Sequence, residues 1–439
     1  MNNQLTRALK LRSFLFLWLA EIFSQVAANM MNFILILVVY KLTNSSTAVS
    51  GIVLSFTVPA IIFGVMAGVL VDRWSKKKVL YVANIVRAVF ALLLAFFHTD
   101  IALVYIFSLI VTIGTQFFIP AETPIIPMIV KRDMLISANA LFGIALYGSL
   151  LVSYALSGPF LVALGSTKVF FILALFFLIA SVFVLFVKTK TEEDIPKKIL
   201  KEPLDVSITD EIKMAFSFAF KSREIRQSFV FLTIAQILIL VMSVIGPGYA
   251  KTVLNIPVDD FPLLFVTPAA IGMIFGAILL TNYFHRFSKQ FSASIGLLLS
   301  AVAVFLMPFG SKVASREFVQ SINALLPYTF QITIVHIMVV LAFFIGIANA
   351  LIFVPSNALL QEVTSDEMRG KIYGTLNALV ALASLFPVIL AGSLADVFGV
   401  NSVLITLAVV MGMIGIWRLI LDRNNSKVKT QKAKVVKDA

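Results

Sequence analysis

The sequence predicts an all-α integral membrane protein with 12 transmembrane helices in two six-helix repeats. Three observations carry this expectation. The 439-residue chain is 60% hydrophobic and 13% charged, with a mean hydropathy of +1.01, which no water-soluble globule sustains. Its apolar residues fall in runs long enough to cross ~30 Å of hydrocarbon, broken by short charged loops. The two halves also echo each other in sequence and in order. The net charge of +13 and pI near 9.8 do not imply nucleic acid, because the basic residues lie in alternate loops and the C-terminal tail, without a basic face on a soluble domain. The chain has no cysteine, which excludes disulfides and thiolate metal sites.

Taken in order, the predicted spans are 14–41, 48–71, 79–97, 101–126, 137–164 and 167–187, then 228–253, 261–284, 290–309, 330–356, 372–396 and 402–421. The first run is too long for a signal-peptide core and lacks a small-residue cleavage site, so it reads as a retained span. Arg7, Lys10, Arg12, Lys131, Arg132, Arg286, Lys289, Arg369, Lys371 and the Lys-rich tail fall on one side. The opposite loops hold only Lys41, Lys168, Lys251, Lys312 and Arg316. The positive-inside rule then puts both termini in the cytoplasm of a multi-pass plasma (inner) membrane protein.

Residues 188–226 carry nine basic and eight acidic residues and form the one long polar segment between apolar runs. Four regions follow: an N-terminal six-helix bundle (1–187), a cytoplasmic linker (188–226), a C-terminal six-helix bundle (227–421) and a basic cytoplasmic tail (422–439). Ile212, Ala215, Phe216, Ala219 and Phe220 recur at helical spacing within the linker, which predicts an amphipathic surface helix.

The repeat is visible residue by residue. SFLFLWLAEI (13–22) opens span one and SFVFLTIAQI (228–237) opens span seven, identical at six of ten positions. Pro59 in span two answers Pro268 in span eight, Pro120 answers Pro355, and the pair Gly158 and Gly165 answers Gly392 and Gly399. Four matches in the same order predict a duplicated six-span unit related by an axis along the membrane normal.

Between spans two and three lies GVLVDRWSKKK (68–78), a burst of charge pinned between two apolar runs. Gly68 permits close helix approach, Asp72 stands where a helix end meets water, and Arg73, Lys77 and Lys78 anchor to an anionic leaflet. This stretch resembles the loop 2–3 signature of the major facilitator superfamily, with Ser75 where the family usually has a second glycine. Asn84, Arg87 and Ala88 in span three, Pro120 and Ala121 in span four, and the run ANAL at 138–141 look like the branch containing macrolide-efflux proteins and the enterobactin exporter. The second copy of the signature has decayed to Leu280 and Thr281 after Gly276, and Gly158-Pro159 matches only part of the antiporter motif. The resemblance covers essentially the whole chain and implies alternating access with Gly68, Asp72, Arg73, Lys77 and Lys78 as a conformational motif.

Intramembrane charge costs about 2.5 to 3.5 kcal/mol on insertion scales, so ionisable residues inside spans are functional candidates. Glu21 sits in span one, and Gln25, Asn29 and Asn32 follow on the same side of the helix as a polar stripe. Arg87 in span three lies at a similar depth and needs a carboxylate, for which Glu21, Asp72 and Glu122 are the nearby choices. Glu21, Arg87 and Glu122 are the proton-coupling candidates, and the sequence leaves open whether Glu21 titrates or only pairs with Arg87. Gln25, Asn29, Asn32, Gln116, Gln236 and Asn349 are the substrate-cavity candidates, the resemblance implying that the first, fourth, seventh and tenth helices line the cavity. The bland alternative is interhelical hydrogen bonding. His336 reads as a satisfied helix-end residue.

These features lead to a secondary active transporter of small amphipathic molecules, expected to be a monomer that exports its substrate with protons as coupling ion. Uptake or sodium coupling is the alternative within transport. A lipid-modifying membrane enzyme is the alternative outside it, but such enzymes cluster His and acids at a membrane face and this chain has three scattered histidines. There is no phosphate-binding glycine loop, and neither a cofactor, a metal nor a nucleic-acid partner is expected.

Overall fold

The structure, a computed structural model, describes residues 2–131, 134–188, 217, 223–283, 288–311, 319–321, 323–324, 332–363 and 369–438; within these, the side chains at Gly68, Asp72, Arg73, 369–377 and 422–438, among a few others, fall outside the description. The linker helix expected near 212–220 lies outside the described residues apart from Ser217. The regular secondary structure of the described residues is helical, with no strand among them.

In the N-terminal half a short helix α1 (Asn2–Leu9) leads into α2 (Arg12–Thr43), α3 (Ser46–Arg73), α4 (Lys76–Phe97), α5 (Ile101–Glu122), α6 (Ile125–Ile129) and α7 (Leu135–Phe186). The boundaries follow local chemistry. Asn44 takes a left-handed conformation, φ 50°, and its N–H closes α2 on Tyr40 O at 2.7 Å, a position that Asn tolerates better than most residues. Ser45 then caps α3 by accepting from Ala48 N at 3.2 Å, and Asp100 caps α5 by accepting from Ala102 N and Leu103 N. Each cap satisfies orphan backbone donors of a first turn.

Helix α7 has 52 residues, about 78 Å at ~1.5 Å per residue, more than twice a bilayer core. Gly165 divides it: its φ of 73° and ψ of 163° belong to a region open essentially to glycine alone. The two parts, 135–164 and 166–186, are spans five and six.

The C-terminal half contains α8 (Arg223–Thr252), a π-helical turn Pro262–Val266 leading into α9 (Thr267–Asn282), α10 (Lys289–Leu306), α11 (Ile334–Val363), α12 (Arg369–Phe398) and α13 (Val400–Asp438). Eleven helices among the described residues are long and apolar enough to cross a membrane, with α7 counted once, so its division gives the twelve spans expected. Span ten, expected from 330, starts at Ile334, and span four ends at Glu122 because the chain turns there into α6.

The chain forms two compact units, Met1–Ser217 with Gly370–Ile389, and Phe218–Arg369 with Leu390–Ala439. In the first, α2 packs against α7, α4 against α5 and α7, and α3 against α5. A core of Phe14, Leu17, Ala20, Leu80, Phe118 and Val184 fills the space between these helices. In the second, α9 and α10 both pack on α11, and contact with α9 is so close that a Cβ at Gly272 or Gly346 would run into Phe343 O or Ala269 O. Small residues permit such backbone approach where lipid supplies no hydrophobic drive.

Candidate functional site

The site is built from three helices of the first unit. On α2 the buried residues Phe14, Leu17, Glu21 and Ser24 share one face; on α4 Ala83, Asn84, Arg87 and Ala91 do so; on α5 Gly114, Phe118, Ala121 and Glu122 do so. Each set follows the three- and four-residue spacing of a helix face. Because these are the faces the helices turn inward, their few polar side chains are carried into the bundle together.

Glu21, Arg87 and Glu122 are thereby brought into one cluster, with relative exposures of 2%, 1% and 7%. The carboxyl groups of Glu21 and Glu122 meet in a side-chain hydrogen bond, Gln25 hydrogen-bonds Glu21, and Arg87 lies within electrostatic reach of both acids. The expected direct Arg87–carboxylate pair is not what holds the guanidinium. Its Nε donates to Ala83 O at 3.3 Å, and Cζ stands 4.3 Å from the Phe118 ring centroid and 5.1 Å from that of Phe177. Arg87 Nη2, Glu21 Oε2 and Glu122 Oε1 lack a hydrogen-bond partner among the described residues. The cation is caged by two aromatic faces and by the field of two acids, without a bidentate clamp.

A second polar contact adjoins the cluster: the Ser24 hydroxyl donates to Asn84 Oδ1 at 3.2 Å, and Asn84 Nδ2 has no partner among the described residues. On the other side, a Cβ added to Gly114 would come within 3.3 Å of Arg87 Cγ, so glycine at this position lets α5 lie over the arginine stem. Sequence reasoning did not find Ser24, Gly114, Phe118 or Phe177 as partners of the site. Phe118 had one available signal, its position one turn before Glu122 on the same face. Phe177, on the far half of α7, had none.

The remaining candidates disperse. Gln25, Asn29 and Asn32 continue the α2 stripe and are half-buried, as are Gln116 on α5 and Gln236 on α8. Asn349 on α11 is buried, with Oδ1 lacking a partner among the described residues. In the 68–78 stretch, Gly68, Asp72 and Arg73 have helical backbone at the end of α3, and their side chains lie outside the described set. Lys77 ties two helices together, because its Nζ donates to Leu185 O at 2.8 Å. This satisfies a carbonyl at the C-terminal end of α7, where a cation is also favoured by the helix dipole. Lys78 is exposed. His336 accepts from Thr333 N at 3.1 Å and closes the start of α11, as expected of a helix-end residue. Among the described residues no cluster of metal-ligating side chains occurs.

Comparison with known proteins agrees with this architecture. The sequence profile described as Major Facilitator Superfamily matches residues 17–318 and 318–438. An uncharacterized MFS-type transporter of Bacillus subtilis (strain 168), YfiS, is 23% identical over 405 residues, 88% of this chain and 87% of its own. Macrolide efflux protein A of Streptococcus pyogenes is also 23% identical, over 410 residues covering 91% of this chain and 95% of its own. Among solved structures, the nucleoside transporter NupG aligns with a TM-score of 0.71 at 12% identity over 93% of this chain and 99% of that one. A POT family transporter in complex with 5-aminolevulinic acid aligns with a TM-score of 0.67 at 14% identity, over 94% and 96%. At such identities the structural likeness speaks for the fold alone, but the profile spans nearly the whole chain: this protein belongs to the major facilitator superfamily.

Proposed function

We propose that this transporter exports small amphipathic molecules by alternating access between the halves 1–187 and 227–421, and that Glu21, Glu122 and Arg87 form its proton-coupling site. The observation that carries the proposal is the charge count of the buried cluster, two carboxyl groups against one guanidinium. A hydrogen bond between two carboxyl groups needs one proton between them, since an ionised carboxylate can only accept. With that proton the cluster is neutral; without it a net negative charge is buried, which is costly at low dielectric. Proton gain and loss therefore change the free energy of burying this face, and a conformational change that wets it is coupled to protonation. The half-buried amides Gln25, Asn29 and Asn32 on the same helix supply neutral hydrogen-bonding groups for substrate next to the acids. Gln116, Gln236 and Asn349 are the further cavity candidates, and Asp72 with its neighbouring cations is proposed to favour one conformation. Both termini are placed in the cytoplasm, and a monomer suffices.

The test is flux in inverted vesicles or proteoliposomes under an imposed proton gradient, with a panel of amphipathic compounds that includes macrolides, in view of the efflux relative. The expected result is gradient-driven movement that Glu21→Gln and Glu122→Gln each abolish or strongly reduce. Flux that follows a sodium gradient and ignores the proton gradient would overturn the coupling assignment.

A further inference from the structure

Beyond the buried cluster, a large, open concavity of the first unit lies between the N-terminal part of α4 and the C-terminal part of α5. Its volume is about 710 Å³, and Trp74, Lys78, Val82, Val86, Ile110 and Phe117 are among its walls. Volumes of ~300–1,000 Å³ are those of sites that bury a ligand. We propose that this groove holds one phospholipid with an anionic headgroup, its acyl chain along the apolar walls and its phosphate at Lys78.

Three features point to that occupant. The groove is a furrow rather than a flat wall because small residues, Ala83 and Gly114, are among those that line it. Its α4 wall runs from Lys78 to Val86, eight residues or about 12 Å at ~1.5 Å each, close to the ~15 Å depth of one leaflet. Its length therefore fits a chain descending from the surface and not a compact solute. Its chemistry is ordered by depth: Val86 and Ile110 are aliphatic at the inner end, and Trp74 stacks on Phe117 at the mouth, with ring centroids 6.0 Å apart and planes 21° apart. A Trp at the headgroup level beside a cation is the arrangement an interface favours.

Among the described lining residues the one cation is Lys78. Lys77 is already committed to Leu185 O, whereas Lys78 is exposed at the mouth and lines the groove. Basic side chains at this level attract anionic lipid. Its lining also ties the groove to the charged cluster, because Ala83 O accepts from Arg87 Nε and Gly114 lies on the Arg87 stem. The proposal depends on neither the direction nor the coupling of transport.

The full-length chain reconstituted in phosphatidylcholine, with a minority of tail-brominated phosphatidylglycerol or tail-brominated phosphatidylcholine, tests it through Trp74 fluorescence. The Trp74 contribution is read as the difference between the wild-type chain and Trp74→Phe. At equal mole fraction, the brominated phosphatidylglycerol should quench Trp74 as though enriched about fivefold, the factor expected for one cation at an anionic surface. Lys78→Gln should remove the preference and Lys78→Arg should keep it, while Val82→Phe, which fills the groove, should cut quenching by both lipids. Equal quenching by the two lipids in the wild-type chain means bulk lipid only and overturns the proposal. So does a preference that survives Lys78→Gln, or displacement of the brominated lipid by a transported compound, which would make the groove a substrate entrance.

Discussion

At the scale of single residues, the buried cluster turns on two acids serving one base. Removing either acid leaves one carboxylate for the Arg87 guanidinium, so Glu21→Gln and Glu122→Gln should each fold with little change in apparent melting temperature in detergent. Removing both leaves a permanently charged group (Arg87, 1% exposed) without an acid partner. A buried charge stripped of its partner costs about 3 to 5 kcal/mol, so the double variant should melt far below the sum of the singles. Adding Arg87→Met to the double variant should recover much of the loss, because the charge that lacked a partner is gone. If each single variant is already as unstable as the double, Arg87 needs both acids for structure and the shared-proton account fails. The residue types made this cluster guessable from sequence, since Glu21, Arg87 and Glu122 are rare charges in apolar runs. Their mutual arrangement was not, because a hydropathy pattern gives depth along a helix but not its rotation against two neighbours.

At the scale of elements, the internal repeat extends to backbone conformation. Gly165 and Gly399 occupy corresponding places in the two halves, and both have positive φ, 73° and 83°. Each lets the chain reverse between the fifth and sixth span of its half without a longer loop, and a side chain is disfavoured there whatever space surrounds it. Gly165→Ala should therefore cost about 1 to 3 kcal/mol although nothing lies within 4 Å of its Cβ position. Gly148, on the same helix and also with open space around its Cβ position, is the control. Its φ is not positive, so Gly148→Ala should be neutral or stabilise by about 0.4 to 1 kcal/mol. Thermal unfolding of the two variants side by side decides it: equal effects would mean that the break at Gly165 does not depend on glycine. The repeats diverge where chemistry is concentrated. Leu17 and Ala20 are buried, as are their counterparts Leu232 and Ala235, yet buried Glu21 is answered by half-buried Gln236.

At the scale of the whole molecule, the proposed topology makes a prediction that the composition renders easy to check. The chain has no cysteine, so any single introduced thiol reports alone. Lys10 and Lys41 are both exposed, one just before α2 and one near its end, and the 32 residues of α2 span about 48 Å, enough to place its ends on opposite sides of a bilayer. Lys10→Cys should react with a membrane-impermeant maleimide only in inverted vesicles, and Lys41→Cys only in intact cells. The reverse pattern would invert the orientation and place the basic loops outside. That orientation follows from charge asymmetry alone, a property of sequence that needs no tertiary contact.

The sequence by itself determined the membrane class, the number of spans and the repeat, each of which depends on sums over neighbouring residues. The caps at Asn44, Ser45 and Asp100 and the break at Gly165 rest on the chemistry of single residues at helix ends, and it was the structure that located them. Only the tertiary structure decided which inward faces meet: that Arg87 lies between Phe118 and Phe177, that Glu122 and not Glu21 alone completes its charge environment, that Lys77 reaches Leu185 O, and that Ala83 and Gly114 leave a furrow beside Lys78. These are pairings between helices far apart in the chain. Helix rotation and approach are set by how side chains from several helices fill common space, and no local pattern within one of those helices carries that information.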